Sequence, residues 1–204
     1  MVGLGPGNID YITKIGIESI KKCEIAIGGV RQLEEISSLL LPTCEKYTLG
    51  KLFDLIEFIN KNRDRKICII VSGDTGFYSL LSFLRKSYSR EELNVIPGIS
   101  SYQYLFSRIG EVWQDYKLLS VHGREAGYVE IFSKERGIVL LTDNVNTPYV
   151  IAKNIYEAGY RDVEIVVGER LSYPDEKITF INIEDYEKLN REFFINLMIV
   201  RKKS

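Results

Sequence analysis

Apolar positions along this chain follow two alternating patterns. Short β-branched runs, spaced as in buried strands, are separated by stretches with helical spacing. Residues 24–27, Ile67–Val71 and residues 94–96 read as strands in the first half. Between and around them, residues 11–22 read as a helix with Ile12, Ile15 and Ser19 on one face, and a second helix falls near 30–37. Residues 51–61 place Leu52, Leu55, Ile56 and Ile59 at helical spacing. Further helices are predicted at about 78–88 and at about Ser101–Ile109. Such β-α alternation calls for a mostly parallel sheet covered on both faces. The pattern changes in the polar stretch 110–116, which holds the only tryptophan, Trp113, and a linker is expected there. Beyond it, strands are predicted at 118–121, 138–141, 163–167, 177–183 and 196–201, with a helix at about Pro148–Glu157 and a short one near 184–189. Ending in two strands joined by a short helix implies a mixed sheet with an antiparallel edge. The expected architecture is therefore two α/β domains, 1–112 and 113–204, the first mostly parallel and the second mixed.

Composition narrows the class. A chain of 204 residues, 45% apolar and 27% charged, suits a water-facing protein with one large or two small cores. Twenty-seven basic residues against 28 acidic give a net charge of −1, without the basic stripe of a nucleic-acid binder, so no nucleic-acid partner is expected. No apolar run approaches the roughly 20 residues that span a bilayer, and no basic, then apolar, leader opens the chain. No membrane association and a cytoplasmic location are the expectation. Cys23, Cys44 and Cys68 are widely spaced without a C-x-x-C pair and read as free, reduced, buried thiols. With a single histidine beside them, no metal site is expected.

Three glycine-bearing segments carry the candidate chemistry: Gly3-Leu4-Gly5-Pro6-Gly7, Ser72-Gly73-Asp74-Thr75-Gly76, and Pro97-Gly98-Ile99-Ser100-Ser101. The last two directly follow apolar runs. Strand followed by glycine-rich turn is how a parallel sheet presents backbone at its carboxyl edge. A dinucleotide fingerprint is disfavoured. Asn8 stands where G-x-G-x-x-G needs its third glycine, and Pro6 removes an N–H that pyrophosphate would use. A donor-poor, rigid loop suits a ligand without phosphate. Asp74 reads either as a turn residue or as an acceptor for a ribose hydroxyl or an ammonium group. Ser100 and Ser101 read as helix caps, or as donors to a ligand carboxylate at a helix start. His122, the only histidine, is either structural or a proton carrier. Arg31, Arg124 and Arg170 are solvated charges unless they converge to grip carboxylates.

These segments, in this order and spacing, resemble the tetrapyrrole methylase family, and the resemblance spans nearly the whole chain. Asp10-Tyr11-Ile12-Thr13, Gly28-Gly29 with Arg31, Val121-His122-Gly123-Arg124, Leu141-Thr142-Asp143-Asn144 and Gly168-Glu169-Arg170-Leu171 resemble its cobalt-precorrin-7 C5-methylating branch, the C5-methylating part of precorrin-6Y methylase. Thr75 stands where relatives usually carry proline. The resemblance implies two α/β domains with the active site in the cleft between them, S-adenosyl-L-methionine as donor, S-adenosyl-L-homocysteine as product, and a homodimer. It implies that Pro6, Gly73, Asp74, Thr75, Ser100 and Ser101 receive the donor's methionine and ribose. Leu141, Thr142, Gly168, Glu169, Asn196 and Leu197 would surround its adenine. A tetrapyrrole polycarboxylate would meet Arg31, Tyr78, Arg124 and Arg170. The precorrin enzyme's C15-methylating, decarboxylating activity is expected in a separate protein.

The implied reaction is transfer of methyl from S-adenosylmethionine to a ring carbon in cobalamin biosynthesis. It demands no serine, cysteine or metal nucleophile, and His122 is the candidate for moving a ring proton. Alternatives within the fold are another ring position, diphthine synthesis and ribosomal RNA methylation. Alternatives outside it are a nicotinamide-dependent oxidoreductase and a non-catalytic tetrapyrrole carrier.

Overall fold

The structure, a computed structural model, describes residues 1–121 and 127–203. The chain divides into two compact units, Met1–Ser101 and Tyr102–Ser204. The division falls one residue into the helix α5 (Ser101–Ile109), before the polar stretch that follows it. The reason is aromatic packing: Phe106 meets Tyr116 at 4.8 Å between ring centroids and Tyr102 meets Trp113 at 5.2 Å, both edge to face.

The first unit is built on a four-stranded sheet of β1 (Val2–Gly3), β2 (Ile25–Gly28), β3 (Glu45–Thr48) and β4 (Ile67–Val71), ordered β1-β4-β2-β3 with every neighbouring pair parallel. Buried β2 and β4 are continuous apolar runs, as strands covered on both faces must be. Helices α1 (Lys14–Lys21), α2 (Val30–Glu35), α3 (Leu52–Lys61) and the short α4 (Leu81–Leu84) complete it. The expected start of α1 moves inward because Asn8 Oδ1 first accepts from the Asp10 N–H to form a separate 3-10 turn, and Thr13 Oγ1 then caps the helix through the Gly16 N–H. Its inner face is Ile12, Gly16 and Ile20, while Ile15 is exposed. A side chain at Gly16 would strike Ile12 and Val2, each at 3.0 Å.

Two predicted elements shrink. The helix expected at 78–88 reduces to α4; it cannot begin at Tyr78, whose φ of +46° is a left-handed conformation that a right-handed helix cannot contain, and it passes into turns after Leu84. The strand expected at 94–96 reduces to one parallel bridge, Val2 to Ile96. Pro97 follows at once and has no N–H to extend a ladder. The amino ends of the strands gather the cysteines: Cys23 Sγ and Cys44 Sγ lie 3.7 Å apart, and Cys68 sits beside Ala26 in register. Cys23 and Cys68 are buried as expected, whereas Cys44 is half-buried. Burial, then the Cys23 contact, pushes the Cys44 thiol up to about 11.

The second unit holds a five-stranded sheet of β5 (Tyr116–Ser120), β6 (Gly137–Leu141), β7 (Val163–Glu169), β8 (Lys177–Asn182) and β9 (Asn196–Lys202). Its order is β5-β6-β9-β7-β8. The mixed sheet is as expected: β5 and β6 are parallel, β9 runs antiparallel to both β6 and β7, and β8 is the antiparallel edge. The last two strands are not neighbours, however. Leu197, Met198, Ile199 and Val200 are all buried, a run that belongs inside a sheet, whereas β8 is half-exposed along its length. Helix α6 (Tyr128–Lys134) buries Tyr128 and Phe132, and α7 (Pro148–Glu157) begins with Thr147 Oγ1 accepting from the Val150 N–H. Among the described residues no helix is long and apolar enough to cross a membrane.

One ion cluster ties the start of this unit to its last strand. Arg201 donates through Nε (2.9 Å) and Nη2 (2.6 Å) to Glu164 Oε2 and through Nη1 to Glu111. Burial works against the guanidinium charge, but Glu111, Tyr116 and Glu164 outweigh it and hold the proton more firmly than usual. Arg201→Ala leaves two half-buried carboxylates without their cation. It should lower stability by about 2–3 kcal/mol, read as a reduced urea midpoint at unchanged m value.

Candidate functional site

In the first unit the three glycine segments leave the carboxyl ends of adjacent strands and touch one another. Gly5 and Gly73 exchange backbone hydrogen bonds, Gly73 N–H to Gly5 O at 2.8 Å and Gly5 N–H to Gly73 O at 3.2 Å. Both have positive φ, +80° and +64°, which other residues adopt only with strain. A Cβ on Gly98 would lie 2.3 Å from Gly73 O and 2.7 Å from the Gly3 carbonyl carbon, and one on Gly3 would lie 2.6 Å from Gly73 O. The glycines therefore serve backbone-to-backbone contact among the loops before any approach by a ligand.

Asp74 locks the second loop to the third. Its Oδ1 accepts from the Gly76 N–H at 2.8 Å and its Oδ2 from the Gly98 N–H at 3.2 Å. Each oxygen keeps a further lone pair, so the carboxylate is both clamp and available acceptor. Thr75 is buried, and its carbonyl accepts from the Ser79 hydroxyl. Ser100 is buried and Ser101 opens α5; the Cβ position of Gly73 lies 3.7 Å from Ser100 Cα and 4.0 Å from Ser101 N. Thus Gly73, Asp74, Thr75, Ser100 and Ser101 form one patch, with Pro6 directly after the bridging Gly5. Arg31 joins its margin: Nη2 donates to Ser72 Oγ at 2.9 Å and Nη1 to Glu35 Oε1 at 2.9 Å. Gln32 Nε2 also donates to Ser72 Oγ, at 2.6 Å. Tyr78, half-exposed, lies edge to face with Phe77 at 4.9 Å.

In the second unit the expected adenine-side residues stand together across three adjacent strands. Leu141 pairs in register with Leu197, Leu197 with Gly168, and Asn196 with Glu169. Thr142 Oγ1 donates to Asn196 Oδ1 at 2.6 Å, and Asn196 Nδ2 donates to Phe194 O at 2.8 Å. Glu169 is buried, 6% exposed, and both its oxygens accept from Arg191, Nη1 to Oε1 at 2.9 Å and Nη2 to Oε2. That guanidinium also lies 3.9 Å over the Phe193 ring, and the Glu169 bond strengthens its hold on its proton. With its carboxylate so engaged, Glu169 offers a ligand mainly its backbone. A Cβ on Gly168 would meet the side-chain tips of Leu171 at 2.9 Å and Leu105 at 3.1 Å, so a larger residue here requires those leucines to shift.

Arg170 behaves as a local charge. It has φ +44°, its Nε lies 2.5 Å from Asp175 Oδ2 without hydrogen-bond alignment, and its guanidinium covers the Tyr173 ring at 4.7 Å. The Arg170 guanidinium beside it holds the Asp175 carboxyl below its usual range. His122 and Arg124 lie outside the described residues. Sequence reasoning passed over Ser72, Gln32 and Arg191. Of these, Ser72 was named in the second glycine segment without a role of its own; Arg31 and Glu35 at i and i+4 were a usable sign of an ion pair, but nothing local links Arg191 to a carboxylate 22 residues away.

The chain is similar to known proteins over nearly its whole length. The family described as Tetrapyrrole (Corrin/Porphyrin) Methylases matches residues 1–187. A cobalt-precorrin-7 C(5)-methyltransferase of Salmonella typhimurium is 28% identical over 201 residues, 98% of this chain and 96% of that protein. A probable cobalt-precorrin-7 C(5)-methyltransferase of Methanocaldococcus jannaschii is 30% identical over 193 residues, covering 91% and 89% respectively. Among solved structures, a uroporphyrin-III C-methyl transferase from Thermus thermophilus complexed with S-adenosyl homocysteine superposes with TM-score 0.76 at 21% identity, over 98% of this chain and 95% of that one. On the family match and the full-length likeness, this chain belongs to the tetrapyrrole (corrin/porphyrin) methylases.

Proposed function

We propose that this protein is an S-adenosylmethionine-dependent C-methyltransferase of cobalamin biosynthesis that methylates C5 of cobalt-precorrin-7. The observation that carries the reading is the bonded cluster of three glycine loops at the carboxyl edge of the parallel sheet, in a chain alike over its whole length to C(5)-methyltransferases. The residues present fit such a donor. Asp74 has lone pairs to spare for an ammonium or ribose hydroxyl, the buried Ser100 and neighbouring Ser101 stand at a helix start where a carboxylate is favoured, and no loop lysine or arginine awaits a phosphate. S-adenosylmethionine supplies, when bound, an electrophilic methyl on a sulfonium.

Within this reading Pro6, Gly73, Asp74, Thr75, Ser100 and Ser101 take the methionine and ribose. Leu141, Thr142, Gly168, Glu169, Asn196 and Leu197 take the adenine, largely through backbone groups whose positions Arg191 and the Thr142–Asn196 bond hold. Arg31 and Tyr78 face the tetrapyrrole carboxylates. Arg170, engaged with Asp175, is the weaker candidate, and Arg124 and His122 keep the substrate-binding and proton-carrying roles assigned from sequence. The chain's contribution is alignment: holding acceptor and donor in near-attack geometry supplies about 7–11 kcal/mol. The working protein is a cytoplasmic homodimer, with C15 methylation and decarboxylation left to a separate protein.

Incubation with cobalt-precorrin-7 and donor labelled in its methyl group should place label at C5, located by NMR. Label at another ring carbon would leave the donor and overturn the regiochemistry, and no transfer despite S-adenosylhomocysteine binding by calorimetry would overturn the activity. Asp74→Ala should weaken S-adenosylhomocysteine binding about tenfold or more, since it removes both a ligand acceptor and the Gly98 clamp. Gly98→Ala forces backbone apart and should cost about 2 kcal/mol in thermal or urea stability as well as donor affinity.

A further inference from the structure

Two thiols meet at the amino ends of β2 and β3, at the opposite strand ends from the glycine loops. Cys23 lies two residues after α1 and Cys44 one residue before β3, and their sulfurs are 3.7 Å apart. The backbone explains the contact. β2 and β3 run parallel with Ile25 opposite Glu45, and the Glu45 N–H donates to Glu24 O at 2.9 Å. In that register Cys44 falls opposite Glu24, and Cys23 is its diagonal neighbour. A one-residue offset between strands about 4.8 Å apart separates Cα atoms by about 6 Å, inside the range that a disulfide spans.

The two thiols differ in access. Cys23 is 4% exposed, and the Cys68 thiol, then burial, hold its proton firmly. Cys44 is half-buried between the exposed Thr43 and Glu45, so a reagent in solvent reaches its sulfur first. Cys68, also 4% exposed, belongs to β4, on the far side of β2 from β3. Cys23 is therefore the thiol in place to resolve an attack that begins at Cys44. Burial keeps the Cys44 proton in place too, so the exchange is slow and the dithiol is the resting form.

We propose that Cys23 and Cys44 are an oxidative modification site, at which a low-molecular-weight disulfide generates an intramolecular bridge between the end of α1 and the start of β3. The Cys44 thiolate attacks one sulfur of the reagent, whose S–S bond breaks and releases one thiol. The Cys23 thiolate then attacks Cys44 Sγ, forms the protein S–S bond and releases the second thiol. Two electrons and two protons pass from the cysteines to the reagent. The bridge anchors an edge strand whose Glu45, Lys46 and Thr48 are exposed, and it closes a loop that holds β2 and α2. The site does not rest on the donor-binding reading.

The test is incubation of the reduced full chain with excess oxidised glutathione, followed by alkylation in urea. The intact mass should fall by two hydrogens, with the Cys68 thiol still open to alkylation. Digestion without reductant should yield two peptides joined through Cys23 and Cys44, which dithiothreitol separates. The bridged form should unfold at a higher urea midpoint than the reduced form, because the closed loop restricts the unfolded chain. Cys44→Ser should abolish that linkage, whereas Cys68→Ala should bridge as the wild type does. If Cys68→Ala does not fold, the wild-type peptide map decides alone. In the wild type, three alkylatable thiols, a glutathione adduct that never resolves, a bridge through Cys68 or between molecules, or a midpoint no higher than that of the reduced form would each overturn the proposal.

Discussion

The geometry of the first unit depends on loop backbones that meet with no side chain between them. Parallel strands sit about 4.8 Å apart, so loops leaving the carboxyl ends of neighbouring strands are forced together unless they diverge. Gly3 and Gly98 remove the Cβ atoms that would otherwise drive them apart, and Gly73 O sits where both of those atoms would be. The hydrogen bonds between Gly5 and Gly73 and from the Gly98 N–H to Asp74 then fix the contact. A residue that reads as a ligand acceptor is thus also a staple in a contact that the fold itself requires.

The second unit solves the same problem with side chains. Its candidate residues stand at the carboxyl ends of β6 and β7 and the amino end of β9, which the antiparallel register brings side by side. Glu169 is buried there and would be costly without a partner. Arg191 answers both of its oxygens and is itself backed by the Phe193 ring. Thr142 and Asn196 likewise satisfy one another. What remains to offer a ligand is backbone of defined position, which suits recognition of a neutral, flat group.

Elements with strong local signals were legible in sequence. The apolar run Ile67–Val71, the helix α5 and the Thr147-Pro148 start of α7 all stand where periodicity and capping put them. The helix expected at 78–88 could not begin at its first residue because Tyr78 is left-handed, which its local sequence does not announce. Strand β3, with Glu45, Lys46 and Thr48 exposed, carries no apolar alternation and exists because β2 offers it an edge. The three glycine loops were recognisable from composition and spacing. That their glycines serve one another was not, because mutual approach is a property of strand order, and β4 inserts itself between β1 and β2. The Arg191–Glu169 pair was invisible for the same reason.

The position of β9 dictates an order of assembly during synthesis. The first unit has all of its strands once residue 101 has emerged from the ribosome, and its sheet can close at that moment. The second cannot, because the strand at its centre is the last one translated: β6 and β7 have no ladder to share until residues 196–202 arrive between them. Until then its strands lack the neighbour that covers their apolar edges, so the unfinished second sheet is the aggregation-exposed part of the half-made chain.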